Sequence, residues 1–145
     1  MIRVDPGCLL VFSTLCRYNS LLIMFTINSV VASQIASLIK STIMETIDKI
    51  KSQIEENKII VYMKGSPEAP QCGFSAQTVQ ALMACGKEFS YVDILQNPDI
   101  RSELPKFANW PTFPQLWVNG ELIGGCDIVM EMHQQNELAP LIQAA

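Results

Sequence analysis

The residues best placed for chemistry are Cys72-Gly73-Phe74-Ser75. An apolar run, Ile59-Ile60-Val61-Tyr62-Met63, comes shortly before them. The intervening Lys64-Gly65-Ser66-Pro67-Glu68-Ala69-Pro70-Gln71 is full of turn formers. From Phe74 to Cys85 the residues favour helix, with Val79, Leu82 and Met83 at helical spacing. Cys72 is therefore expected at a helix N-terminus, where unpaired backbone N–H groups and the positive dipole end favour an anion. That setting favours the thiolate, the form that attacks sulfur or binds iron. Lys64 would add positive charge. A dithiol redox site would carry a second cysteine where Ser75 stands. A hydroxyl cannot resolve a mixed disulfide, so this site has one working thiol and needs a partner for the next.

The rest of the chain must position that thiol. Its 145 residues are enough for one domain with a real core. Hydrophobic content of 49% with 17% charged residues indicates a globular chain. A net charge of −4 gives no sign of nucleic-acid binding. The five cysteines, Cys8, Cys16, Cys72, Cys85 and Cys126, form no framework spacing, which fits a reducing compartment. With His133 the sole histidine and no Cys-x-x-Cys, a structural zinc site is not expected.

Ile47, Ile50 and Ile54 with charged residues between them predict an amphipathic helix starting near Thr46 and stopping near Asn57. Lys58 to Met63 predicts a central strand covered on both faces. Phe89 to Ile94 predicts a second strand, parallel to the first across a right-handed βαβ unit. Pro98 opens another helix with Ile100, Leu104 and Phe107 inward. Asn119-Gly120, between Gln115-Leu116-Trp117-Val118 and Glu121-Leu122-Ile123, predicts a hairpin. Gly124-Gly125-Cys126-Asp127 turns into a last helix, capped by Asp127 or Cys126 and ending near Gln135, with a short tail after it. The expected fold class is α/β, a four-stranded mixed sheet with helices on both faces.

Residues 1–43 read differently. They are net basic and Ser-rich, and residues 21–39 are uncharged but too often interrupted by polar side chains for a convincing membrane span. They are expected to be a disordered extension, or upstream sequence that is not translated, with Met44 the start. A targeting segment and a folded element are the alternatives. The expected domain is 44–140, with 141–145 a tail.

Over residues 44–140, four motifs occur in order. Lys64-Gly65-Ser66-Pro67, Cys72-Gly73-Phe74-Ser75, Trp110-Pro111-Thr112-Phe113-Pro114 and Gly124-Gly125-Cys126-Asp127 together resemble the monothiol glutaredoxins, of the short single-domain bacterial kind, on a thioredoxin-like fold. The resemblance implies glutathione in a groove. Lys64 and Arg101 would meet its glycine carboxylate. Thr112 and Phe113 would present backbone to its cysteine, before a cis Pro114. Gly125, Cys126 and Asp127 would receive its γ-glutamyl carboxylate at a helix N-terminus. Arg101 is otherwise a surface charge pairing with Glu103 or Asp99. Trp110 and Trp117 are expected to pack, and Cys85 to be a buried small residue too far along its helix to meet Cys72. A Cys72–Cys126 disulfide is conceivable.

Two functions use these residues. In the one favoured by the resemblance, Cys72 ligates a [2Fe–2S] cluster shared by two subunits. The cluster needs four thiolate-type ligands, which two Cys72 and two glutathiones supply in a homodimer. Heterodimers with BolA-like proteins, transfer to iron–sulfur acceptor proteins and a role in iron homeostasis are implied with it. In the other, Cys72 is catalytic in glutathione-dependent thiol–disulfide exchange (deglutathionylation), an activity expected to be weak at most. The expected location is the cytoplasm, with organellar targeting by residues 1–43 the alternative, and no nucleic-acid or membrane partner is expected.

Overall fold

The computed structural model describes residues 12–145. The chain divides into two units, Met1–Thr42 and Ile43–Ala145. Helix α1 spans Phe12–Glu56. The sequence expectation started this helix near Thr46, but Thr46 lies inside it and is buried. The physical reason is that neither glycine nor proline occurs between Phe12 and Glu56, so nothing stops the helix upstream. In the first unit, Val31, Ile35, Leu38 and Ile39 are exposed. Among the described residues no helix is long and apolar enough to cross a membrane. Residues 1–11, including Cys8, lie outside the described residues.

The second unit is built on strand β1 (Ile59–Met63), buried at all five positions. Its period-two alternation feeds two cores. Ile59, Val61 and Met63 join Val79, Leu82, Leu116, Val129 and Ile142 on one side. Ile60 and Tyr62 join Ile50, Ile54, Ile94, Ile100, Leu104 and Trp117 on the other. Helices α2 (Gly73–Ala84), α4 (Cys126–Gln134) and α5 (Leu138–Ala144) thus cover one face, and α3 (Pro98–Phe107) with the end of α1 covers the other. The sheet order is β2-β1-β3-β4, with β2 at Ser90–Asp93, β3 at Gln115–Val118 and β4 at Glu121–Gly124. β1 runs parallel to β2 and antiparallel to β3. The mixed four-stranded sheet is therefore as the sequence implied. Asn119 and Gly120 both take positive φ, the primed turn that matches strand twist.

A second element differs from expectation. The segment after Asn136 is a helix, α5, with Leu138 and Ile142 buried and Ala145 in the same core. Pro140 is tolerated because it sits in the first turn, where its missing N–H has no helical partner anyway.

Leu82, near the C-terminal end of α2, is 1% exposed and packs in the core on that face of the sheet. Leu82→Ala is expected to cost about 2–5 kcal/mol through lost burial and a residual cavity. Chemical denaturation checks this; a cost under about 1 kcal/mol would mean the α2 packing is dispensable.

Candidate functional site

Strand β1 ends at Met63, and the backbone then folds into a tightly tied loop. Lys64 N–H donates to Ser75 Oγ at 3.2 Å, and Gly65 N–H to Asp93 Oδ1 at 2.9 Å. Gln71 N–H donates to the Lys64 carbonyl at 2.9 Å. The loop is thus fastened to α2 and to the end of β2. Ser75 is fully buried. Its hydroxyl anchors the loop beside the thiol, a role not visible in the sequence. Partial burial works to raise the Asp93 pKa, but the N–H groups of Leu95 and Gly65 and the Gln96 amide outweigh it and hold the carboxyl low. The sign follows. This tether stabilises the fold above the ordinary Asp range and is lost only as pH falls through the depressed value.

Cys72 is the N-cap of α2, with extended backbone. It is half-buried, and the neighbouring Phe74 is exposed. The thiol closes no cap hydrogen bond of its own, so what the setting favours is the anion. The backbone N–H groups of Ser75 first and Phe74 second lower its pKa; slight desolvation opposes them, and the Lys64 charge assists. Since the folded value is depressed, thiolate-linked stability is present above the ordinary thiol pKa and fades as pH falls through the folded one. Alkylation of Cys72 by iodoacetamide should therefore reach half its limiting rate at a lower pH than alkylation of a free cysteine under the same conditions. A midpoint at or above the free-thiol value would remove the helix N-terminus as the activating feature.

A cleft of about 620 Å³ opens beside the thiol. Lys64, Cys72, Arg101, Thr112, Phe113, Gly125, Cys126 and Asp127, the residues singled out from sequence, all line it. The Phe113–Pro114 peptide is cis, as expected. Phe74, Pro105, Trp110, Pro111 and Ile128 complete the wall. Trp110, expected to be packing only, is thus also a wall residue, with its indole over Gly125.

The cations are available. Asp99 is paired with Lys49 at 3.5 Å and Glu103 with Lys106 at 2.8 Å. Both acids that competed for Arg101 are thereby engaged, and Arg101 makes no ion pair among the described residues. Across the cleft, α4 begins at Cys126 and its N-cap is Gly125, not Asp127 or Cys126 as expected. The reason is chain direction: Gly125 is the last extended residue, so Asp127 falls inside the first turn and complements the dipole from there. Gly124 has φ +149, and a Cβ on it would stand 2.9 Å from Ile128 Cβ, so the turn into α4 requires glycine.

Cys72, Cys85 and Cys126 are free thiols. Cys126 is buried and donates its S–H to Gln77 Oε1 at 3.4 Å. Cys85 is buried, bonded to the Ala81 carbonyl, and its pKa is raised by burial. No group of three or more His, Cys, Asp or Glu side chains suited to a metal ion occurs among the described residues.

The glutaredoxin family profile matches residues 59–123, from β1 into β4. Glutaredoxin 4 of Escherichia coli K12 is 74% identical over 98 residues, 68% of this chain and 85% of that protein. The chain belongs to the glutaredoxin family. Glutaredoxin 4 of Haemophilus ducreyi is 71% identical over 100 residues, covering 69% of this chain and 94% of its own. Among solved structures, reduced poplar apo GrxS14 superposes with a TM-score of 0.58 at 40% identity, covering 70% of this chain and 90% of its own. The glutaredoxin relatives and the thioredoxin-like fold thus agree with the motifs. In this glutaredoxin the active motif holds one thiol, because Ser75 follows at the fourth position.

Proposed function

We propose that this glutaredoxin binds glutathione along the cleft and, as a glutathione-bridged homodimer, carries a [2Fe–2S] cluster as cargo for iron–sulfur acceptor proteins and iron homeostasis. The observation that carries this reading is the cleft itself. A half-exposed, thiolate-favouring Cys72 shares its lining with Lys64 and Arg101, two cations without an ion pair among the described residues, and with the N-terminus of α4. A peptide with a carboxylate at each end and a thiol in its middle matches that arrangement. Lys64 and Arg101 would take the glycine carboxylate, the backbone at Thr112 and Phe113 the cysteinyl residue, and the first turn of α4 (Gly125, Cys126, Asp127) the γ-glutamyl carboxylate.

A cluster needs four thiolate-type ligands. Of the two thiols in the cleft, Cys126 is buried and bonded to Gln77, so one chain offers Cys72 as its half-exposed ligand, and the others must come from a second subunit and from two glutathiones, or from a partner such as a BolA-like protein. Ser75, buried and bonded to the loop, neither resolves a disulfide nor interferes with this count. The reading places the working unit in residues 44–145, the expected tail 141–145 being part of α5 and its core, and its site of action in the cytoplasm.

The second reading is favoured by the thiolate character of Cys72. Its sulfur would attack a protein–glutathione disulfide, forming the Cys72–glutathione disulfide and releasing the protein thiolate. A second glutathione thiolate would then free Cys72 and leave as oxidised glutathione. The test is anaerobic reconstitution with iron, sulfide and glutathione, followed by the visible spectrum and native mass. A coloured dimer that forms only with glutathione supports the cluster reading. A colourless monomer that rapidly reduces a glutathionylated substrate replaces it with the second.

A further inference from the structure

Gln115 opens β3 opposite Tyr62, and its side chain is fully buried. Burying a primary amide is costly unless its hydrogen bonds are made. Its Nε2 donates to the Trp110 carbonyl at 2.9 Å and to the Thr112 carbonyl at 3.2 Å. Both neighbours are acceptors, so the nitrogen must face them. The Oε1 atom has no partner among the described residues. The residue thus keeps its two donors and leaves its acceptor unused, where an apolar side chain of the same shape would pack without that cost. What the amide provides is the orientation of the loop 110–114.

That orientation reaches the cleft through one peptide plane. The bond from Thr112 to Phe113 is trans, so its C=O and N–H point in opposite directions. With the Thr112 carbonyl turned inward onto Gln115, the Phe113 N–H is turned outward. Thr112 and Phe113 both line the cleft, and the Phe113 N–H has no hydrogen-bond partner among the described residues. We infer that Gln115 is a positioning residue: it holds the Phe113 N–H toward the cleft as the donor that meets a backbone carbonyl of a bound cysteinyl peptide. This deepens the proposed function and rests on its glutathione reading.

The experiment uses the full chain and glutathione itself. In the wild type, titration with glutathione should move the Phe113 amide signal strongly in proton–nitrogen spectra. Glutathione binding that leaves the Phe113 amide in place overturns the inference without any variant. Gln115→Met should stay folded, shift the Phe113 amide in the free protein, and bind glutathione about tenfold more weakly, the scale of one lost hydrogen bond. The Cys72 alkylation profile should not change, since α2 does not depend on this amide. Affinity within about twofold of wild type overturns the inference, as does a weakened affinity accompanied by a displaced Cys72 profile, which signals general collapse. If the wild type fails to bind glutathione at all, the functional reading fails, and an unchanged Phe113 amide in Gln115→Met then overturns the positioning role separately.

Discussion

Cys72→Ser is expected to fold like the wild type and hold no cluster. Serine is among the best N-cap residues, and Cys72 occupies the N-cap of α2 with the extended backbone that a capping serine adopts. The side chain is half-exposed, so no core contact is lost, and stability should change by no more than about 0.5 kcal/mol. The chemistry, by contrast, is removed outright. The N–H groups of Ser75 and Phe74 that favour a thiolate cannot bring a serine hydroxyl to its anion near neutral pH. In the proposed two-chain assembly each subunit would lose its Cys72 ligand, leaving two of four. The visible absorption after reconstitution should therefore vanish, not halve, while circular dichroism and the denaturation midpoint stay in place. A variant dimer that retains the full absorption would remove Cys72 from the ligand set. Glutathione affinity should survive, because the cations and the α4 terminus are untouched.

The parts of this site that were legible from sequence are those whose causes are local. Cys72 is the N-cap because an Ile/Val run, a turn-rich loop and a helix-favouring stretch follow each other within a few residues. The hairpin at Asn119-Gly120 and the start of α3 at Pro98 are local in the same sense. Other features depend on contacts that sequence order does not show. Arg101 is free for the cleft because Lys49 from α1 holds Asp99. Ser75 and Asp93 tie down the Lys64 loop, but only the direction of their side chains reveals it. Gln115 gave one faint signal, a polar residue beginning an otherwise apolar strand. Helix α5 was missed because its short apolar pattern, interrupted by Pro140, means little until α4 and the sheet provide a surface for Leu138 and Ile142.

Gly65→Ala should produce a defect that Lys64→Ala does not. Gly65 has φ +86, a conformation that costs an alanine roughly 1 kcal/mol by itself. A Cβ there would stand 2.5 Å from the Ala69 carbonyl oxygen and 2.8 Å from the Gln71 nitrogen. Both are backbone atoms, so no side-chain rotation relieves the clash and the loop 64–71 must open. Opening it strains three ties at once: Gln71 N–H to Lys64 carbonyl, Gly65 N–H to Asp93, and Lys64 N–H to Ser75. The expected cost is about 2–3 kcal/mol of stability, with glutathione affinity falling at least about tenfold as Lys64 leaves the cleft. Lys64→Ala removes the charge from an intact loop, so it should lose comparable affinity with stability nearly unchanged. Equilibrium denaturation and glutathione calorimetry on both variants separate the two effects. If Gly65→Ala keeps wild-type stability and affinity, the loop is not what holds Lys64 at the cleft. If Lys64→Ala alone keeps its affinity, the loop matters through its backbone, and the cation that meets the ligand must be Arg101.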